Sequence, residues 1–395
     1  MNIAEKGVQA FRDDKFVPNN KLVKDRASYL QFQDVINKQY VESVRKGNGM
    51  LIQTKVLEVI AETCVEEGLH VGLNWCQIHH MPKDGSIRVL ADCSNTDDDS
   101  LPLNSEASKL AAQNEYGEIV HPTLSSILGG ISGEAVKEGW DNLVLWKVDV
   151  AGAFTLMDMH PEDVPLLAFK LSNGLPTAGV FGLSSMPFGF EVGTEVVRES
   201  MRLTMRGFTD VYVDDSMGAT GRDFVQQEIK KAGDAITAIY GPGTVAEHKT
   251  EFGRQLVLLG WLIDCDSRTV TMSEKNALKA MSIVLGADLE GLVAIGWIRK
   301  VASLLSRYAV IHPEMKPYVG HLYDHLAGVS GGGYSRSGDL VRVRLFVEAK
   351  HCLRRWRAFL CLQELGGEKY RRPIAELVPN LTSASWLIDY DASLY

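Results

Sequence analysis

The sequence contains few cysteines and no apolar run long enough to cross a bilayer. Six cysteines occur among 395 residues, and no two form a Cys-x-x-Cys pair, so neither a zinc site nor a dense disulfide framework is indicated. The first residues, MNIAEKGVQAFRDDKF, are too charged for a secretory signal peptide. No run of 18 apolar residues is present, which predicts no membrane span. Together these absences predict an intracellular protein with reduced thiols.

The sequence also lacks the basic excess that is usual for proteins that bind nucleic acids. Lysine and arginine number 41, against 50 aspartates and glutamates, which gives a net charge of -9. Binding to phosphate backbones normally needs a basic face, so this balance argues against tight, unaided binding. One basic stretch lies near the C-terminus, and a solvated helix face explains it equally well. It consists of Arg342, Arg344, Lys350, Arg354, Arg355 and Arg357.

The order of elements predicts an α+β fold without internal repeats or low-complexity tracts. Helices are predicted over residues 28–67, with a break at Gly47 and Gly49, and over 191–206, 223–240 and 273–328. Strands are predicted over 86–91 and 143–150, in a hairpin over 208–220, and as two strands over 255–272. The nearly continuous apolar run of 143–150 is typical of a central strand. A turn is predicted at 83–85 and a polar loop over 95–104. The glycine-rich tract 328–338 predicts a linker. These elements do not alternate as regular βαβ units, which favours α+β over a doubly wound fold.

Three aspartates stand out because apolar residues surround them. Asp149 lies near the end of the predicted strand LVLWKVDV, and Asp214 and Asp215 form the turn of the hairpin VYVDDSM. Buried carboxylates are costly without a partner, and adjacent carboxylates repel each other. A divalent cation resolves both problems, since hard oxygen ligands suit magnesium or manganese, and two such ions together serve phosphoryl transfer. For an isolated Asp-Asp pair, turn chemistry is the simpler explanation.

The order of the motifs around these aspartates resembles that of reverse transcriptases, the RNA-directed DNA polymerases of retroelements. The segment VDVAGAF at 148–154 resembles the first palm motif of that family, and FGLSSMP at 181–187 resembles the second. The segment YVDD at 212–215 matches the family signature of an aromatic residue, any residue and two aspartates. The resemblance covers roughly residues 40–327 and is nearest to Gypsy-type and DIRS-type elements.

The resemblance implies a two-metal centre, a nucleotide pocket and a primer grip. Two Mg²⁺ ions, with Mn²⁺ as a substitute, would be held by Asp149, Asp214, Asp215 and the backbone at Val150. The incoming nucleotide would be bound by Lys83, Arg88, Val150, Ala151, Phe154, Phe181, Gly182 and Lys249. In that set the Phe154 ring would block a ribose 2′-hydroxyl, and Lys249 would protonate the leaving pyrophosphate. The primer end would be held by Leu259, Gly260 and Trp261.

The resemblance also implies a right-hand polymerase with an antiparallel palm sheet covered by helices on one face. The expected divisions are an N-terminal extension (1–27), mainly fingers (28–140), palm (141–275, with a fingers insertion near 160–180), thumb (276–327), linker (328–338) and connection segment (339–395). Asp391, followed by Ala-Ser, resembles the first strand of a ribonuclease H domain, which is expected beyond the C-terminus. The implied partners are a primed RNA or DNA template and deoxynucleoside triphosphates, without a membrane, in a cytoplasmic particle or the nucleus.

Other functions share parts of this pattern. An RNA-dependent RNA polymerase would use the same palm and metals, but Phe154 and the fingers and thumb resemblance argue against it. A catalytically inactive, reverse-transcriptase-like scaffold that binds nucleic acid or protein would not need all three aspartates. An unrelated metal-dependent hydrolase would need only the carboxylates and would leave the motif order unexplained.

Overall fold

The computed structural model shows an α+β protein and describes most of the chain. The described residues are 3–11, 27–52, 55–56, 59, 75–83, 86–94, 102–169, 174–176, 179–330, 341–366 and 371–378. The helices are α1 (Ile3–Lys6), α2 (Ala27–Arg45), α3 (Glu106–Tyr116), α4 (Leu124–Glu138), α5 (Met186–Thr204), α6 (Val225–Tyr240), α7 (Glu274–Leu285), α8 (Ile295–Ile311), α9 (Pro317–Ser330), α10 (Val347–Gly366) and α11 (Ile374–Leu377). Among these described residues, no helix combines the length and apolar character that crossing a bilayer requires.

The strands are mostly antiparallel and form separate sheets, which confirms the predicted α+β class. They are β1 (Gly49–Leu51), β2 (Trp75–Lys83), β3 (Ser86–Asp92), β4 (Leu143–Asp149), β5 (Ala168–Phe169), β6 (Gly174–Pro176), β7 (Phe208–Tyr212), β8 (Asp215–Gly221), β9 (Glu251–Gly253), β10 (Gln255–Leu258), β11 (Trp261–Asp264), β12 (Thr269–Met272), β13 (Leu292–Ala294), β14 (Arg342–Arg344) and β15 (Arg372–Pro373). One sheet has the order β1-β6-β5-β2-β3, in which the β2–β5 pair is parallel.

Most of the predicted elements are confirmed, including α2, α5, α6 and the strands β3, β4, β7 and β8. The two strands predicted over 255–272 are wrong in number, because the chain makes three strands there, β10, β11 and β12. No pattern predicted α3 or α4. Of the predicted linker, residues 328–330 complete α9, and the remainder lies outside the described residues, as do the turn at Asp84 and the C-terminal segment around Asp391.

A four-stranded sheet with the order β7-β8-β4-β9 is called the first sheet below. Its strand β4 is one of the two inner strands, as predicted for residues 143–150. On one face of β4, Val144, Trp146 and Val148 pack in the core with residues of α5 and α6. On the other face, Leu143 and Leu145 pack in the core that contains α4. The nearly continuous apolar sequence of β4 therefore reflects burial on both faces of the sheet. Helices were expected on one face, and α4 covers the other face as well.

The second sheet, in the order β10-β11-β12-β15, joins the first sheet to the C-terminal helices. Its buried side chains share one core with α4 and with α7 to α10. The chain after the glycine-rich tract folds back onto this core, because Trp356 of α10 is fully buried in it and β15 pairs with β12. Three members of the basic stretch serve this packing. Lys350 and Arg354 pair with Glu290, and Arg357 donates to the carbonyls of Val284, in the last turn of α7, and of Ala287, just after it.

The N-terminal residues, which carry no motif, are inserted into the core. Val8 forms a parallel bridge with Met159, and both Val8 and Ala10 are fully buried. The Ala10 amide donates to the Asp163 carboxylate at 2.9 Å. Gly7 has a φ of +75°, and a Cβ there would lie 2.6 Å from the Met159 carbonyl carbon, so this close approach requires glycine. The segment 3–11 therefore supports the chain that follows β4.

Candidate metal centre

Two neighbouring strands bring the three predicted aspartates together. Asp149 at the end of β4 pairs directly with Asp215 at the start of β8, and Asp214 lies in the turn before it. Each carboxylate offers an oxygen within 4.8 Å of those of the other two. Asp149 is buried, whereas Asp214 and Asp215 are half-buried. The sheet thus concentrates three acidic groups at one edge of an apolar core.

The turn that carries Asp214 has an unusual backbone conformation. It contains two residues, Val213 and Asp214, because Tyr212 and Asp215 are the last paired residues of the hairpin. Val213 has a φ of +55°, a region that β-branched residues rarely occupy and that costs on the order of 1–3 kcal/mol. The Val150 amide donates to the Asp214 carbonyl at 2.9 Å. Surrounding contacts thus hold the turn in a strained form.

The electrostatics of the cluster favour a bound cation. Burial, and then the charges of Asp214 and Asp149, raise the pKa of Asp215 to about 6. Lys249 forms an ion pair with Oδ2 of Asp149, and this hydrogen bond raises the pKa of Lys249. Oδ1 of Asp149 is buried and has no hydrogen-bond partner among the described residues. An unpaired, buried carboxylate oxygen in an acidic cluster fits a hard divalent cation such as Mg²⁺ or Mn²⁺.

The backbone after Asp149 is organised by an isolated bridge between Val150 and Val245. This bridge uses the Ala151 amide, which donates to Thr244 at 2.7 Å, and the Asp149 carbonyl, which accepts from Ala246 at 2.8 Å. The bridge therefore does not use the Val150 carbonyl, which was the group predicted to face the metal. The metal-binding role of Val150 and the nucleotide-binding role of Ala151 stay predictions.

Two of the residues predicted to bind the nucleotide, Phe154 and Phe181, form an aromatic group with Phe190. Phe154 lies in a short 3₁₀ turn (Ala153–Leu156), with its ring centre 5.0 Å from that of Phe181 and 5.7 Å from that of Phe190. The half-buried Phe154 therefore packs against the core, and its nucleotide-binding role stays a prediction. The neighbouring Phe181 carbonyl accepts from the Ala91 amide of β3 at 2.8 Å. This bond links the second motif to the β2–β3 hairpin.

Gly182 allows this close contact between the second motif and β3, because no larger residue fits at its position. Its φ is +110°, and a Cβ there would overlap the Ala91 carbonyl oxygen. Asn104, for which sequence reasoning predicted only a loop, holds the same segment. Its side-chain amide donates to the Gly182 carbonyl at 2.6 Å and accepts from the Ser184 amide at 2.8 Å. Nothing in the sequence around Asn104 indicates this role, since its partners lie about 80 positions later.

The other predicted residues lie on separate elements. Lys83 and Arg88 fall on β2 and β3, but their side chains lie outside the described positions. Leu259 and Gly260 form the turn between β10 and β11, with φ values of +47° and +89°, and belong to the second sheet. Arg307 of α8 anchors this turn, because its guanidinium donates to the Leu259 carbonyl at 3.0 Å and lies over the Trp261 ring.

Removing one negative charge from the cluster should stabilise the metal-free protein. In EDTA at pH 7.5, we expect Asp215→Asn to raise the free energy of unfolding by about 1–2 kcal/mol after allowance for solvent screening. The pKa of Asp215 is raised from 3.8 to about 6 in the folded protein. Ionisation of Asp215 therefore destabilises the folded state fully above pH 6 and not at all well below pH 3.8. The increase in the free energy of unfolding caused by Asp215→Asn should therefore be about half as large at pH 5 as at pH 7.5.

Urea unfolding of both proteins at pH 7.5 and pH 5 measures this effect. Asp223→Asn, at an exposed aspartate shortly after β8, is the matched control and should change stability by less than about 0.5 kcal/mol at either pH. An Asp215→Asn variant that is less stable than wild type at pH 7.5 would show that the carboxylates do not repel each other in the folded state.

The comparisons with known proteins concern the fold. No protein-family model and no curated protein matches the sequence. Among solved structures, foamy viral protease-reverse transcriptase in complex with RNA/DNA hybrid is 13% identical, with a TM-score of 0.55 over 90% of this chain and 40% of that one. The same type of protein in complex with dsDNA is 13% identical, with a TM-score of 0.50 over 90% and 62%. The chain therefore spans less than two thirds of these structures and has a reverse-transcriptase-like polymerase fold.

Proposed function

We propose that this chain is a reverse transcriptase that adds deoxynucleotides to a primer 3′-hydroxyl on an RNA or DNA template. One observation carries the proposal. Asp149 and Asp214, 65 residues apart in the sequence, meet Asp215 with carboxylate oxygens within 4.8 Å of one another, on a fold like that of reverse transcriptases. A scaffold without catalysis would have no need for this costly arrangement of three charges.

We assign roles in nucleotidyl transfer to several of the chain's own residues. The aspartates would hold two divalent ions, for which Mg²⁺ is proposed and Mn²⁺ can substitute. When bound, such ions activate the attacking hydroxyl and stabilise the leaving phosphate. Lys249, which is half exposed and forms an ion pair with Asp149, would donate a proton to the departing pyrophosphate. Leu259, Gly260 and Trp261 would hold the primer end.

The wider context is part of the same proposal. The chain would derive from a Gypsy-type or DIRS-type retroelement, with its fingers, palm and thumb divided as predicted from the sequence and a ribonuclease H domain following. Its partners would be primed RNA or DNA and deoxynucleoside triphosphates, in a cytoplasmic particle or in the nucleus. The foamy viral structures contain RNA/DNA hybrid or dsDNA, which supports nucleic acid as the ligand despite the acidic net charge.

Primer extension tests this proposal and separates it from RNA synthesis. The wild-type chain is supplied with Mg²⁺ and a primed RNA template, and in parallel a primed DNA template, with either deoxynucleotides or ribonucleotides. Extension with deoxynucleotides on both templates is the expected result. Extension with ribonucleotides alone would favour the RNA polymerase instead. Failure of a folded wild-type chain on both templates, with Mn²⁺ also tried, would exclude the proposed activity for this chain.

Phe154 should determine the choice of sugar. We expect Phe154→Ala to raise the ratio of ribonucleotide to deoxynucleotide incorporation by about tenfold, because losing one close steric contact changes selectivity by about 1–3 kcal/mol. Single-turnover incorporation of each nucleotide measures the ratio. Phe154→Tyr keeps the ring that contacts Phe181 and should retain wild-type selectivity. An unchanged ratio in Phe154→Ala would assign this residue to the core alone.

A further inference from the structure

We infer that Thr194 is a positioning residue that fixes Asp214 in the metal centre. The inference depends on the metal site of the proposed function, but it does not depend on polymerase activity. Thr194 lies on α5 and is 1% exposed. Its hydroxyl donates to the Val213 carbonyl at 3.1 Å. Since Val213 is the strained residue of the aspartate turn, this bond acts on the backbone directly before Asp214.

Two hydrogen bonds hold the backbone on either side of Asp214. Thr194 binds the carbonyl of the peptide group before the Asp214 Cα, and the Val150 amide binds the carbonyl of the peptide group after it, at 2.9 Å. With both peptide planes fixed, the Asp214 carboxylate has only its own side-chain torsions left to adjust. Val150 contributes a backbone amide, whereas Thr194 contributes a side-chain hydroxyl. Only the hydrogen bond from Thr194 can therefore be removed by changing a side chain.

A second contact directs the Thr194 hydroxyl towards the turn. The hydroxyl of a threonine inside a helix can donate to the carbonyl four residues earlier, which here belongs to Phe190. The Tyr240 hydroxyl lies 3.3 Å from that carbonyl and 3.4 Å from the Thr194 hydroxyl. Tyr240 thus competes for the internal acceptor, which leaves the threonine proton for Val213. Gly193 permits this approach, because a Cβ there would lie 2.6 Å from the Tyr240 oxygen.

The strain in the turn explains why one hydrogen bond matters. Val213 adopts its left-handed φ of +55° only because its surroundings hold it there. Without the Thr194 donor, the Val213 carbonyl loses its partner and the turn can relax towards a commoner conformation, which moves Asp214. Groups that orient a metal ligand typically change metal affinity about 10–100-fold when they are removed. The expected loss is therefore in metal binding rather than in overall folding.

Two substitutions at one position test the inference. Thr194→Val keeps the shape but removes the hydroxyl, whereas Thr194→Ser keeps the hydroxyl. Mn²⁺ binding is measured by electron paramagnetic resonance without nucleic acid, and the Mg²⁺ dependence of primer extension is measured in parallel. We expect Thr194→Val to raise the Mn²⁺ dissociation constant and the half-maximal Mg²⁺ concentration by about tenfold. Thr194→Ser should stay within about twofold of wild type.

Tyr240→Phe gives an independent variant should Thr194→Val not fold. It removes the hydroxyl that competes for the Phe190 carbonyl and should weaken Mn²⁺ binding in the same direction. Equal Mn²⁺ affinity in wild type and Thr194→Val, or equal losses in the Val and Ser variants, would overturn the inference. A wild-type chain that binds Mn²⁺ but extends no primer would refute the proposed function alone. A wild-type chain that binds no Mn²⁺ would refute both.

Discussion

Asp214→Asn should abolish primer extension, with a loss of at least about 10³-fold in rate. Metal ions contribute several kcal/mol of transition-state stabilisation, and each 1.4 kcal/mol corresponds to about a factor of ten. An asparagine amide has nearly the same shape as the carboxylate but carries no charge. The substitution therefore leaves two of the three clustered carboxylates. Extension on a primed RNA template, with rates measured over several hours, detects a residual activity of this size.

The control for this variant is Asp141→Asn. Asp141 is exposed in the turn that precedes β4, so its substitution changes the net charge equally but leaves the metal site intact. Its activity should equal that of wild type. A fully folded Asp214→Asn variant that retains more than about a tenth of wild-type activity would contradict the assignment of Asp214 as a metal ligand.

Gly182→Ala should lower both stability and activity. Its φ of +110° disfavours any residue with a Cβ, and the added methyl group would overlap the Ala91 carbonyl oxygen. Strain and collision together should cost about 3 kcal/mol or more. Relief of the collision must separate Phe181 from β3, and a displacement of about 1 Å near a reacting group can cost about 10²-fold in rate. Thermal unfolding and primer extension measure the two effects.

Gly133→Ala is the control for this second prediction. Gly133 lies inside α4, where a Cβ would meet no atom within 4 Å, so alanine should stabilise the helix by about 0.5–1 kcal/mol. The two substitutions add the same methyl group with opposite expected signs. Equal melting temperatures for Gly182→Ala and wild type would show that the junction with β3 adjusts without cost.

The three aspartates were predictable because their signal is local. A charged residue at the end of the apolar strand β4, and an acidic pair in an apolar hairpin, each conflict with their own neighbours in the sequence. The same reasoning identified β4 as a central strand, since its apolar run is continuous. Turn chemistry alone would still explain an isolated Asp-Asp pair, so the order of the surrounding motifs was needed to single out these three residues.

Other parts of the molecule depend on contacts that leave no local pattern. Asn104 and Thr194 are ordinary polar residues, and their roles arise only when distant carbonyls are brought to them. The third strand over 255–272 was missed because its turn is made by side-chain chemistry. The Asp264 carboxylate accepts from the amides of Asp266 and Ser267, without a glycine or proline to mark the reversal.

The insertion of the N-terminal residues into the core has a consequence for the order of events during synthesis. Val8 meets Met159, which leaves the ribosome about 150 residues later. At about 5–20 residues per second, residues 3–11 remain without their partner for on the order of 10 s. They cannot dock until the chain beyond β4 has emerged, because Met159 and Asp163 form their binding surface. Residues 3–11 therefore reach their final contacts well after they have been synthesised.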